Sequence, residues 1–313
     1  MAREEQPLEA AGYTPPACEL DVRRARLEGP DWFSRFRFPA EGEPLSRGGL
    51  PSGALLVVAA RGGQRRGFLV KQLVYHHVAE GTLGGEPVAL AFSAIHHRAI
   101  GLIPVVDGRR LHLSAGGLHC GRVLLVDDET GSYWDCAEGL ALHGPLAGRR
   151  MARFEVPMTS VGAAREQTPA LTWSRSHSGL AARLFNKFGM FALRGRGFTP
   201  PSWRRTLEIQ DARLPHLTPG LGVIHNRHTR FYPLSRIERD GPIRDRWGRE
   251  RLRVRMRDDV ALPEAVWVGR DDRAPPMQLF TRWYAFAFCF PHCPIYGDRA
   301  SGYFPKYTAK REA

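Results

Sequence analysis

No apolar run in this chain approaches the ~18 residues that a membrane-crossing helix needs. The strongest, Ala54–Ala60 and Trp283–Phe290, are less than half that length, so no membrane partner is expected. The opening Met1-Ala-Arg-Glu-Glu-Gln-Pro is charged and lacks the apolar centre of a secretory leader, which makes the cytoplasm the expected compartment. Cysteine is scarce and irregular. Cys18, Cys120, Cys136, Cys289 and Cys293 are an odd set with no framework spacing, which points to a reducing environment rather than a disulfide scaffold. Cys289 and Cys293, four apart, are too thin a pair to define a zinc site. Lysine is nearly missing: the excess behind a formal charge of +13 is overwhelmingly arginine, spread along much of the chain. Such a bias can reflect the base composition of a genome, so nucleic acid is the weaker partner reading. Helical periodicity is also sparse. Its one long instance, Leu180–Leu193, is interrupted by Gly189, and the segment Asn186–Phe191 reads equally as a loop.

What remains is ordinary for a globular protein: 313 residues, 43% hydrophobic and 25% charged, with ample material for one or two cores. Abundant Gly (33) and Pro (24) between short strand patterns predict a β-rich α+β fold. Residues 1–45 read either as an irregular lead-in whose aromatic island, Trp32-Phe33-Ser-Arg-Phe36-Arg-Phe38, anchors on the body or, equally, as a disordered tail. Residues 46–205 form a first lobe and 206–313 a second.

The two lobes are related by an internal repeat. At a constant offset of 164, Arg66-Gly-Phe-Leu-Val-Lys-Gln-Leu73 falls on Arg230-Phe-Tyr-Pro-Leu-Ser-Arg-Ile237. Gly84 falls on Gly248, and Val88, Leu90 and Phe92 fall on Leu252, Val254 and Met256, positions that alternate as in a half-buried strand. Each unit reads as strand, turn, strand, short connector, strand. The spans expected to superpose are Val57–Phe92 and Leu221–Met256. So distant a self-similarity means two lobes, not a solenoid.

The densest patterning lies in Glu86–Trp134. A strand runs into Ser93-Ala-Ile-His96-His97, and a second strand leads into Asp127-Asp-Glu-Thr-Gly-Ser-Tyr-Trp134. Before them stand His76-His77 and Thr82-Leu-Gly-Gly85; after them stands Gly144-Pro-Leu-Ala-Gly148. This order and spacing, over roughly residues 50–300, resembles an uncharacterised family catalogued as domain of unknown function 3179. That family's pattern is a His-Glu step, Thr-Ile-Gly-Gly, a strand into Tyr-Cys-Pro-Leu-Cys, then Asp-Arg-Glu-Thr-x-Ser-Leu-Trp and Gly-Pro-Leu-x-Gly. The resemblance names no reaction. Here Ser93 and His96 stand at the two cysteine positions, so dithiol redox chemistry is excluded there. His76 matches the family's His, and His77 stands where the family has Glu, with Glu80 a conjectural substitute carboxylate.

Two copies of one unit share what the fold needs and differ where one copy works. Only the first has His76-His77 and, downstream of its last strand, Ser93-Ala-Ile-His96-His97; the second has Asp240-Gly241 and, downstream of its last strand, Arg257-Asp258-Asp259. Imidazole and thiolate are ligands for zinc, copper and iron. The expected metal ligands are therefore His76 and His96, with His97, His119 and Cys120 as secondary candidates. Neighbours on a strand point to opposite faces, so one His of each pair faces a site. Asp127–Thr130 reads as a hydrogen-bonded turn with Trp134 packing it down, and Gly144–Gly148 as a chain reversal.

Three functions follow. The leading one is a metal-dependent enzyme, oxidoreductase or hydrolase, acting on a small molecule in a His-lined pocket, with no catalytic residue identified. Ser93 would be a pocket hydroxyl, since no Ser–His–Asp set is visible. The alternative is a non-enzymatic binding or scaffold protein that has lost the family's cysteine chemistry. The third is a polyanion or nucleic-acid binder in the Arg-rich second lobe. There Arg251, Arg253, Arg255 and Arg257 alternate on one strand face, a row suited to phosphates or an acidic partner but more often a solvated edge that discourages strand-to-strand aggregation, and only Trp247 and Tyr232 are near as stacking platforms.

Overall fold

The computed structural model describes residues 20–30, 32–93, 98–176, 203–206, 211–225, 228–258, 260, 262–269 and 275–298. The fold is β-rich α+β, and the four α-helices among the described residues are each seven residues long. Contacts divide the chain into two compact units, 18–208 and 209–313. None of the described helices is long and apolar enough to cross a membrane.

The first unit opens its main motif with β1 (Leu55–Arg61) and β2 (Gln64–Leu69), followed by α1 (Val70–His76). The motif closes with β3 (Val78–Leu83) and β4 (Glu86–Ser93), and β5 (Arg98–Ile103) follows. Both hairpins turn on glycine pairs at positive φ, Gly62-Gly63 and Gly84-Gly85, the geometry that two-residue hairpin turns require. The turns also abut: a Cβ on Gly62 would lie 2.2 Å from the Gly84 carbonyl oxygen. The short connector between the hairpins is helical. It buries Val70, Leu73, Val74 and His76, the spacing of one helix face. Two turns are too short for that period to stand out against the flanking strands.

β1 shows why this sheet is two-sided. Val57 and Ala59 join a core with Phe36, Phe68, Leu73 and Leu90, whereas Leu56 and Val58 join another with Val161 and Trp173. Helix α2 (Val161–Gln167) closes that second face and is capped by Ser160, whose hydroxyl accepts from the Ala163 amide. The aromatic island is part of the core. Phe36 pairs parallel with Ala79, and Phe36 and Phe38 are buried. A further sheet contains β6 (Leu113–His119), β7 (Arg122–Asp127) and β8 (Tyr133–Asp135).

The second unit runs β9 (Pro219–His225), β10 (His228–Pro233), α3 (Leu234–Asp240), β11 (Ile243–Trp247) and β12 (Glu250–Met256). It continues through β13 (Pro263–Trp267), β14 (Met277–Arg282) and α4 (Trp283–Cys289). Two three-stranded sheets result, ordered β10-β9-β14 and β11-β12-β13. Leu221, Tyr232, Ile237, Trp247, Leu252 and Val254 fill one core; Phe231, Trp283, Phe286 and Phe290 fill another.

Candidate functional site

The histidines of the first unit are committed to structure to differing degrees. His76 ends α1 with its ring buried beside Phe36 and Tyr75. Its Nδ1 lies 2.6 Å from the Ser34 carbonyl oxygen, which can only accept, so the proton sits on Nδ1. The other nitrogen, Nε2, is buried with no hydrogen-bond partner. Burial lowers the pKa of His76. His77 caps the helix at φ 60, where its amide donates to the Leu73 carbonyl at 2.7 Å. Its ring meets Phe33 edge-on, and Nδ1 lies 3.2 Å from the Phe92 carbonyl oxygen. Burial pushes its pKa down to about 4.

His96 and His97 lie outside the described residues, as does Leu180–Leu193. His119 is buried, and its Nε2 accepts from the Asp21 amide at 3.1 Å. That atom is also 3.7 Å from the Cys120 sulfur. A ring nitrogen that accepts a backbone N–H has its lone pair occupied, which leaves it unavailable to a metal in this arrangement. Among the described residues no group of three or more His, Cys, Asp or Glu side chains is arranged to hold a metal ion.

Glu80 is buried and burial raises its pKa. Its Oε2 accepts from the Leu113 amide at 3.0 Å, and Arg37 approaches Oε1 at 3.4 Å. Beside it, Asp128 is clasped by both terminal nitrogens of Arg35, and Glu129 binds the side chain and amide of His112. Asp127 does what its turn motif implies. Oδ1 accepts from the Thr130 amide at 2.6 Å, and Oδ2 from the Ser132 amide at 3.2 Å and the Trp134 indole at 2.8 Å. The thiols of Cys136 and Cys293 are each pushed up to about 12 by burial, so neither is a nucleophile.

The second unit holds a different kind of site. In the β11–β12 ladder Arg244 faces Arg253 and Arg246 faces Arg251. Ile243, Trp247, Leu252 and Val254 turn to the core, which places all four arginines on the opposite face. Like charges directly opposed on a ladder are destabilising. Arg249, in the turn at Gly248, adds a fifth guanidinium. The five line a concavity of about 600 Å³ together with Asp245 and Val268. Among the described residues none of the five is in an ion pair. Asp245 does not compensate them, because its Oδ2 is taken by Arg230 and the Tyr232 hydroxyl. The Trp247 indole donates to that hydroxyl at 2.8 Å, so a buried network pins the hairpin from behind.

The arginine row expected from β12 alone therefore needs correction. Arg255 is held by Glu264 at 2.9 Å, with Asp258 at 3.7 Å, and Arg257 lies beyond the strand end. Arg244, Arg246 and Arg249 take their place, contributed by the partner strand and turn. The alternation Arg244-Asp-Arg246-Trp before Gly248 carried that signal. Trp247 and Tyr232 are buried on the core face, not platforms beside the arginines.

A family model described as "Protein of unknown function (DUF3179)" matches residues 45–273. No curated protein and no solved structure matches the chain.

Proposed function

The chain belongs to this family of proteins of unknown function, and we propose that it is a non-enzymatic binding protein whose ligand is anionic and seats on the β11–β12 hairpin. The observation that carries this reading is the concave set of five guanidiniums, two pairs of them directly opposed. Holding such charges together costs stability, and an anionic ligand offsets the cost through paired N–H forks.

Duplication supports the choice of hairpin. We read residues 55–93 and 219–256 as two copies of one strand–strand–helix–strand–strand unit. At the 164-residue offset the pairs Leu56↔Leu69 and Arg61↔Gln64 fall on Gly220↔Pro233 and His225↔His228. Ala79↔Leu90 and Leu83↔Glu86 fall on Ile243↔Val254 and Trp247↔Glu250. At the same offset Arg244, Arg246, Arg249, Arg251 and Arg253 replace Glu80, Thr82, Gly85, Pro87 and Ala89. In the first copy Glu80 and Ala89 are buried; in the second their counterparts are guanidiniums facing a hollow. The difference between the copies is the site.

The test is salt-dependent retention on an immobilised sulfated polysaccharide. Glutamine at all five hairpin positions should abolish most retention, while glutamine at five exposed arginines of the first unit should change it little. Equal losses would reduce the binding to net charge and end this reading.

One observation favours a second reading, a transition-metal centre of zinc, copper or iron serving small-molecule chemistry in the first unit. The Nδ1–H of His76 is fixed on a backbone carbonyl while Nε2 is buried and unpartnered, the orientation that metal-ligating histidines adopt. His96 is the further ligand this reading needs. Metal content of protein purified without a histidine tag decides it: bound metal lost in His76→Gln sustains the reading, and metal-free protein ends it.

A further inference from the structure

The hairpin's geometry narrows the anion. Each opposed pair, Arg244/Arg253 and Arg246/Arg251, brings two guanidiniums to one place on the ladder. Facing Cβ atoms lie ~4.5–5.5 Å apart, and successive same-face pairs are ~6.8 Å apart along the strands. Two positions each carrying two positive charges are therefore set one strand repeat from each other.

Charge decides what each position takes. A phosphomonoester carries about −1.5 to −2 near neutral pH, so one group balances one pair. A carboxylate or a phosphodiester carries a single charge and leaves each pair half compensated. The two phosphorus atoms of a pyrophosphate share one bridging oxygen and sit too close together to occupy both positions.

The patch is also closed. Beyond Arg253 the next same-face residue, Arg255, is already neutralised by Glu264 and Asp258. At the other end the strands finish at the Gly248 turn, where Arg249 completes the set. A long polyanion would therefore engage the row only over these two pairs and Arg249. The hollow of about 600 Å³ is of small-molecule size. Its lining has Val268 but no aromatic ring, since Trp247 and Trp267 are buried on the core face, so the scaffold it accepts is hydrophilic.

We infer that the β11–β12 hairpin binds a compact bisphosphorylated polyol, a sugar-like molecule with two phosphomonoester groups, one on each arginine pair. This rests on the anion-binding reading above. Titration calorimetry on the full chain at physiological salt tests it with four probes: a hexose bisphosphate, a hexose monophosphate, inorganic pyrophosphate and a short single-stranded oligonucleotide. The bisphosphate should bind at least ~10-fold more tightly than the monophosphate or pyrophosphate, and more tightly than the oligonucleotide. Its affinity should fall as pH drops below ~6, where the second phosphate ionisation is lost. Arg246→Gln with Arg251→Gln should bring the bisphosphate down to the affinity of the monophosphate without lowering the unfolding temperature, since removing an opposed like-charge pair relieves repulsion. If the oligonucleotide binds more tightly, or pyrophosphate equals the bisphosphate, this inference is overturned and the anion-binding reading stands. If no probe binds, both fall.

Discussion

The Trp134 indole donates to Asp127 Oδ2 at 2.8 Å, and neither side chain is more than marginally exposed. The ring is thus both a wedge in the core and the donor that completes a buried carboxylate. Trp134→Ala should cost about 3–5 kcal/mol in thermal or denaturant unfolding, the range for removing a buried aromatic. Trp134→Phe keeps most of the volume and loses the donor, so about 1–3 kcal/mol is expected. A harmless Trp134→Ala would remove this turn from the scaffold.

Arg66 is a buried guanidinium that no carboxylate among the described residues grips. It donates to the carbonyls of Pro39 and Ala40 at 3.2 and 2.6 Å, and to Ser174 and Thr172 at 2.9 and 3.0 Å. Arg66→Met strands those acceptors, at about 1–3 kcal/mol for buried groups left unsatisfied. Lysine cannot reproduce the planar fork, so Arg66→Lys should destabilise as well. Unchanged denaturation midpoints in both variants would mean that the fork is dispensable.

Gly62 and Gly63 both have positive φ, yet only one is crowded. A Cβ on Gly62 would collide with Gly84 backbone, whereas nothing lies within 4 Å of one on Gly63. Gly62→Ala should therefore lower the melting temperature clearly more than Gly63→Ala, whose cost is limited to the strained backbone, about 1 kcal/mol. Equal shifts would show that the two hairpin turns do not touch.

His77 predicts a pH dependence with a definite sign. Its folded pKa is depressed from 6.5 to about 4 by burial, so as pH falls the unfolded chain takes the proton first. The stability contribution is fully present above ~6.5 and is lost as pH falls from there through about 4. His76, also lowered, acts in the same direction. His77→Asn tolerates the left-handed cap and removes the titration, and should flatten the unfolding temperature across that window. A variant that loses stability as steeply as the parent would assign the acid sensitivity elsewhere.

The β-rich class and the hairpins were legible because period-two alternation and Gly-Gly turns are local signals. Asp127–Trp134 was legible for the same reason: an Asp accepting amides two to five residues ahead needs only its own segment. Helices α1 and α3 were not, since seven residues give too few turns for a 3.6-residue period to show. The role of the histidines was not legible either, again for a physical reason. Their spacing says nothing about whether a ring nitrogen is spent on a backbone partner, as His119 Nε2 is on the Asp21 amide.

By itself the sequence determined strand periodicity, turn positions, the signature placing the chain in its family, and an arginine excess. Those depend on neighbours along the chain. Only tertiary structure decided which charges are free. Arg253 and Arg255 look equivalent along β12, but one faces Arg244 across the ladder and the other meets Glu264 on the next strand. Cross-strand register, which joins residues far apart in sequence, makes the first a ligand-binding candidate and the second a closed ion pair.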